Sequence, residues 1–391
     1  MNRRHDIDAL RALAFALVIL YHVAMYYVAG WDWHIKSPHA TDWLQGPMRA
    51  LNLWRMDLVF LVSGLALGFL GRGQPVGALL RRRSLRLLLP LAFGMAVVVP
   101  YQPYAEMVAK GVLAPGFWQF LARYYTGGPW PAGAFPGSEV GVTWNHLWYL
   151  PYLWLYTAVL LLLRPWLAGS AAGVFRGLRG AGLLLLPVLP LWLYTATLWP
   201  RFPPAHNLIH DGWLHAVYFT LFLYGWWIGT DTGWWQEVAR LRWRTLALAG
   251  LALAAFTVVR AHLPPGGGLK MAVRAVADLY LWWAILAILG AAHRYLNRPW
   301  PWLGWANESV YPWYVLHQTA IIALAVGLAP LRLGPVAEPV LLVLGTVGAC
   351  WGLTTLIRRG RWLRPLFGLT PGARPRCPSR ASPGHPGVNS A

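Results

Sequence analysis

Charge is scarce in this chain. Only 12% of its 391 residues are Asp, Glu, Lys or Arg, against 57% hydrophobic, which leaves too little polar surface for a water-soluble protein of this length. Cysteine is scarcer still. Cys350 falls in the last apolar run and Cys377 in the C-terminal tail, so the two are not expected to meet and no disulfide is expected. No internal repeat emerges when the apolar runs are compared, which removes support for the inverted-repeat plan of many transporters. His-Glu-x-x-His, G-x-S-x-G and a Gly-rich phosphate loop after a strand are also missing. Zinc peptidases, α/β-hydrolases and P-loop enzymes are therefore unsupported, and no metal is expected.

The chain does have apolar runs of about 20 residues, the length a helix needs to cross the hydrocarbon core. Ten such runs lie near 8–28, 50–71, 84–101, 146–164, 182–200, 213–231, 244–260, 271–293, 307–329 and 336–357. With the N-terminus placed in the cytoplasm, 22 of the 33 Lys and Arg residues fall in connections on that side. Ten lie on or near the other side, and Arg11 is inside the first run. The positive-inside rule then puts both termini in the cytoplasm. The net charge of +20 reports topology, and no nucleic-acid partner is expected. The 26 Trp residues crowd the ends of the runs, as interfacial belts do.

The expected fold is an all-α polytopic bundle of about ten transmembrane helices spanning residues 1–365, with 366–391, rich in Pro, Gly and Ser, as a disordered cytoplasmic tail. His5, Asp6, Asp8 and Arg11 precede the first apolar core and His22 interrupts it, which argues against a cleaved signal peptide. The longest connection, roughly 102–145, is aromatic and is expected to fold over the outer mouth of the bundle and help bind an acceptor.

Ionisable residues within spans are expensive in hydrocarbon and are the first functional candidates. Arg11 and His22 are eleven residues apart, within about 20° of three full turns and about 16 Å along one stripe of the first helix. That stripe suits a long molecule with an anionic head, held by its phosphates at Arg11 and reacting beside His22. Coenzyme A has this shape, and a neutral imidazole can take the proton of an attacking hydroxyl. Asp57, at matching depth in the second span, is positioned either to orient His22, as triad carboxylates do, or to pair with Arg55. Ser63 and Gly64 are small enough to admit a slender ligand or a neighbouring helix. The run Arg81-Arg82-Arg83-Ser84-Leu85-Arg86 is a topology signal and a candidate phosphate patch, with Arg82, Arg83 and Arg86 as its contacts. His146 opens the fourth span at the outer surface, and His317 lies mid-span in the ninth, where it can line a tunnel. Glu308 matches Arg11 in depth and is expected to pair with it.

Taken in order, these segments resemble the acyltransferase-3 superfamily of membrane O-acyltransferases over roughly residues 6–360. The carriers are Arg11 with His22, like its Arg-x10-His signature; Asp57 to Gly64, like D-x-F-F-x-x-S-G; His146 to Leu150, like H-L-W-F-L; and Ser309 to His317, like S-Y-x-x-Y-x-x-H. Val59 departs from the pattern, standing where an aromatic is usual. Within the superfamily, Trp31 to Ser37 and the residues around Arg55 are similar to the glucan biosynthesis protein C group. The resemblance implies an acyl-CoA co-substrate from the cytoplasm, no permanently bound cofactor, and an extracytoplasmic sugar acceptor, for which His34, His146, Trp148 and His317 are the candidate contacts. It implies an essential His22, a donor-site Arg11 and residence in a bacterial inner membrane. The narrower likeness implies succinyl transfer to a periplasmic glucan. A transporter or flippase for the same kind of glycan is the alternative from another class; it would line a path with Arg11, His22 and Glu308 and would consume no acyl-CoA.

Overall fold

The computed structural model describes residues 4–71, 73–229, 231–262 and 268–370. Its elements are helical, and among the described residues no strand forms beyond one isolated bridge between Val28 and Thr41. The first crossing is α1, His5–Tyr27; the second joins α2, Gln45–Asn52, to α3, Arg55–Leu70. The third runs through α4, Val76–Phe93, a five-residue π segment at Gly94–Val98, and α5, Tyr101–Ala109. A short α6, Phe117–Tyr125, lies in the long connection before α7, Tyr149–Leu167, and α8, Ser170–Gly177. Then come α9, Gly180–Leu185, with α10, Val188–Thr197; α11, Gly212–Ile228; α12, Thr232–His262; α13, Gly268–Tyr295; α14, Leu303–Leu328; α15, Ala337–Arg359; and α16, Leu363–Leu366.

Among the described residues, nine segments are long and apolar enough to cross a membrane. The expected sixth span is present as α11, at 17 residues. Leu214, Val217, Leu221, Phe222 and Ile228 on it are all buried, and it packs against α3. The outside of the bundle is greasy, with Leu13, Leu20, Leu162, Leu251, Val258, Leu344 and Leu356 exposed. That inversion is the signature of a hydrocarbon solvent. Not every Trp lies at an interface, because Trp234, Trp235 and Trp282 are completely buried.

Helix seams follow from residue size. On α1, Ile7, Leu10, Ala14, Val18 and Tyr21 are buried at spacings of three and four, the stripe of a one-sided helix. α1 packs on α14 and α3, and α14 on α15. The tightest crossing is α3 on α11. A Cβ on Gly64 would lie 1.9 Å from the carbonyl oxygen of Phe222, and one on Gly225 would lie 1.9 Å from that of Leu61. Only glycine lets the two backbones meet. Of the two neighbours open for Gly64, a slender ligand or another helix, it is α11 that fills the space beside it.

The end of the chain is packed farther than its composition suggests. Phe367 and Leu369 are buried, and the Phe367 ring meets Phe93 edge-on at 5.2 Å. The ordered bundle therefore continues past 365, and the expected tail from 371 onward lies outside the described residues.

Candidate active site

Two of the polar clusters in the interior gather the expected site residues. One lies toward the end of the bundle where α1 begins and α15 finishes. There the Arg11 guanidinium donates to the carbonyl oxygen of Asn307 at 3.2 Å, and Asn307 in turn donates to the Asp8 carbonyl at 3.2 Å, tying α1 to α14. Arg83 and Arg86, one turn apart on α4, face inward, whereas Arg82 is exposed. Arg86 sits over the Tyr311 ring at 5.0 Å. Arg11 and Arg83 both interact electrostatically with Tyr311 and Tyr149. The Tyr149 hydroxyl meets Ser63 Oγ at 2.5 Å, and Ser63 donates to the Val59 carbonyl at 2.8 Å.

The Nε atoms of Arg11, Arg83 and Arg86 are all buried without a partner. Among the described residues no carboxylate makes an ion pair with any of the three. Unpaired guanidinium groups in a protein interior are costly, and three of them sharing one basin form a ready receptor for a multiply charged anion. Of the residues expected in the patch, Arg83 and Arg86 face the interior as Arg11 does, while Arg82 is exposed because it lies about 100° around the helix from Arg83.

Glu308 does not pair with Arg11. Its carboxylate receives Arg358 at 2.6 Å and Arg364 at 3.1 Å. Equal depth places two residues at one level of the bundle but does not fix the direction in which each faces.

The second cluster surrounds His22. Its Nδ1 lies 2.9 Å from Nε2 of His317, and the two rings are 5.0 Å apart. His317 Nδ1 lies 2.8 Å from the Tyr314 carbonyl and 3.1 Å from that of Trp313. His146 stands edge-on to His317 at 5.0 Å, with Nε2 within 3.1 Å of the Tyr314 carbonyl and 3.2 Å of the Val315 carbonyl. Its Nδ1 lies 3.1 Å from the Gln102 amide nitrogen. Gln102 also donates to Thr319 at 2.8 Å, and Thr319 donates to the Val98 carbonyl in the π segment at 2.8 Å. Gln318 donates to Gln102 at 3.0 Å and lies 2.9 Å from His34 Nε2. His34 Nδ1 meets Glu106 at 2.5 Å, and Glu106 also receives Lys110 at 2.5 Å.

This arrangement revises several expectations. His146 is buried, not at the outer surface, because α6 and the segment after it form a small aromatic core of Phe120, Tyr124 and Phe135 over the start of α7. The Tyr124 hydroxyl, whose titration is pushed upward by burial, accepts from the Thr143 backbone at 3.1 Å. His34, His146 and His317 have both ring nitrogens engaged within the protein, so none offers a free nitrogen to a substrate. Trp148 differs. Its ring lies 4.4 Å from that of His206, and no partner for its indole N–H is found among the described residues.

Asp57 also departs from expectation. It bonds neither His22 nor Arg55, and its Oδ1 is buried without a partner. The Arg55 guanidinium carbon lies 3.4 Å from the centre of the Tyr21 ring, with Nε and Nη1 unpartnered. The charge on Arg55 reaches both His22 and His317.

Gln102, Gln318, Tyr149 and Tyr311 were not anticipated. Their signal was available, since uncharged polar side chains within apolar spans need partners just as charged ones do. The C-terminal end of α1 is held by Lys36, which donates at 2.7 Å to the carbonyls of Met25 and Val28. Burial lowers the Lys36 titration while Asp32 opposes the shift.

A helical bundle with a lipid-facing exterior, an unpaired cationic basin and a buried imidazole cluster defines a polytopic membrane protein with an interior chemical site. Residues 4–355 match the family described as an acyltransferase domain. The chain belongs to the acyltransferase-3 family and is a membrane acyltransferase. No curated protein and no solved structure matches it.

Proposed function

We propose that this protein is an acyl-CoA-dependent O-acyltransferase of an inner bacterial membrane. It moves an acetyl or succinyl group from cytoplasmic coenzyme A to a hydroxyl of an extracytoplasmic carbohydrate, possible acceptors including a periplasmic glucan. Both termini face the cytoplasm in this reading, so the arginine basin opens toward the donor and the histidine cluster lies deeper along α1.

One observation carries the proposal. Of the four clustered imidazoles, His22 alone keeps a ring nitrogen, Nε2, with no partner among the described residues, and it lies on the same helix stripe as Arg11. In the proposed reaction the acceptor oxygen attacks the thioester carbonyl carbon while its proton passes to His22 Nε2. The carbon–sulfur bond then breaks, and the departing thiolate takes that proton back. Arg11, Arg83 and Arg86 hold the phosphates of coenzyme A, and Ser63 with Tyr149 lies beside them.

The test is esterification of glycan in membranes containing the protein, with acetyl-CoA and succinyl-CoA supplied separately. Ester formed by the wild type and lost in His22→Ala at equal expression supports the reading. Ester retained in that variant removes His22 as the base. Absence of ester with either donor, together with unmodified glycan crossing the membrane, would favour transport instead.

A further inference from the structure

We propose that His317 is the positioning residue that sets the tautomer of His22, holding its proton on Nδ1 and leaving Nε2 as the reacting nitrogen. The catalytic consequence rests on the function proposed above; the tautomer itself does not.

Hydrogen-bond polarity can be followed outward from fixed points. The carbonyl oxygens of Trp313 and Tyr314 can only accept, so the proton of His317 is on Nδ1. His317 is completely buried and touches no carboxylate, which leaves a neutral ring with Nε2 unprotonated. The 2.9 Å contact to His22 is then an N–H donated by His22 Nδ1 to His317 Nε2. A neutral imidazole carries one proton, and Nε2 of His22 therefore keeps its lone pair.

The same reasoning fixes the surrounding groups. His146 Nε2 must donate to the carbonyls of Tyr314 and Val315, so its Nδ1 accepts from Gln102. Gln318 uses its amide N–H groups on Gln102 Oε1 and His34 Nε2. His34 consequently donates from Nδ1 to Glu106. Every assignment agrees with its neighbour, and none can be reversed without setting two donors or two acceptors against each other.

This arrangement also favours turnover. When His22 gains a proton on Nε2, Nδ1 still donates to His317, so the bond needs no rearrangement and strengthens as the ring becomes charged. Asp57 is absent from this scheme, and a neutral acceptor takes the place of the carboxylate in a triad.

The measurement is nitrogen-15 NMR of the full chain, labelled at histidine and held in bilayers, with the His22 signals identified by their loss in His22→Asn. The expected spectrum has a protonated Nδ1 and a bare Nε2 for His22. His317→Leu should move the proton onto Nε2 or yield a mixture of tautomers. In activity assays the same variant should lower kcat about tenfold to a hundredfold with KM for the donor little changed. His317→Gln, whose amide oxygen can accept from Nδ1, should recover part of that loss. A wild-type His22 protonated on Nε2 would overturn the proposal even if His317→Leu fails to fold, and so would an unchanged tautomer in a folded His317→Leu. Correct tautomers with no acyl transfer from any donor would count against the proposed function while leaving the positioning role intact.

Discussion

The arginine basin and the histidine cluster share α1, α14 and the crossing that runs from α4 to α5, yet they solve the problem of buried polarity in opposite ways. In the basin, Arg11, Arg83 and Arg86 keep guanidinium nitrogens without partners. In the cluster, His34, Gln102, His146, His317 and Gln318 satisfy one another and leave a single nitrogen of His22 over. An interior that leaves several like charges unmatched is prepared for something that arrives. A network closed on itself instead holds its members in place. In the proposed reaction the first is the binding part and the second the positioning part.

The strongest test of that division is His22→Ala, which should reduce acyl transfer by about 10²- to 10⁴-fold, the range of a lost general base. Donor binding, measured as KM, should hardly change. Next is Arg83→Gln, expected to raise KM for acyl-CoA by about ten- to a hundredfold through loss of a charge-assisted contact worth roughly 1.5–3 kcal/mol. Its kcat should stay within about threefold of wild type by the logic of uniform binding, and Arg82→Gln should do far less. A fall in kcat at constant KM for Arg83→Gln would break the comparison.

Gln102→Leu removes a donor to His146 and an acceptor for Gln318, and should cost about 1–3 kcal/mol of stability with a smaller kinetic effect. Thermal unfolding in detergent beside a kcat measurement separates the two. The mildest change is Lys36→Met, which removes the cap on α1. Its expected cost is about 0.5–1 kcal/mol and a few-fold loss of kcat, because the capped end is close to His22 in sequence.

Much of the fold was legible because hydrocarbon imposes a one-dimensional code. Run length and arginine placement mark the crossings, and each expected run corresponds to a helical segment in the structure. The stripe linking Arg11 and His22 was readable for the same reason, since both residues lie on one helix. Pairings between helices were not. His317 is separated from His22 by 295 residues, and depth along a span says nothing of the direction a side chain faces. That is why Asp57 seemed a natural partner for His22, and why Glu308, expected beside Arg11, instead holds Arg358 and Arg364. Gln102 was harder still to place, because it follows the π segment at Gly94–Val98, and a π turn breaks the 3.6-residue register by which faces are read from sequence.

The reciprocal contact of Gly64 and Gly225 carries a consequence for inherited or laboratory variation. Each glycine faces a carbonyl of the other's helix, so any side chain at either position drives α3 from α11. In a scan of single substitutions these two sites should score as intolerant as His22, although neither touches the reacting groups. Synthesis and membrane insertion of the separate helices should survive, and the lesion should emerge only as failed assembly. A catalogue of damaging variants would therefore mark a seam through the bundle as well as its chemistry, and the two kinds of damage would be told apart by whether intact protein can still be recovered from the membrane.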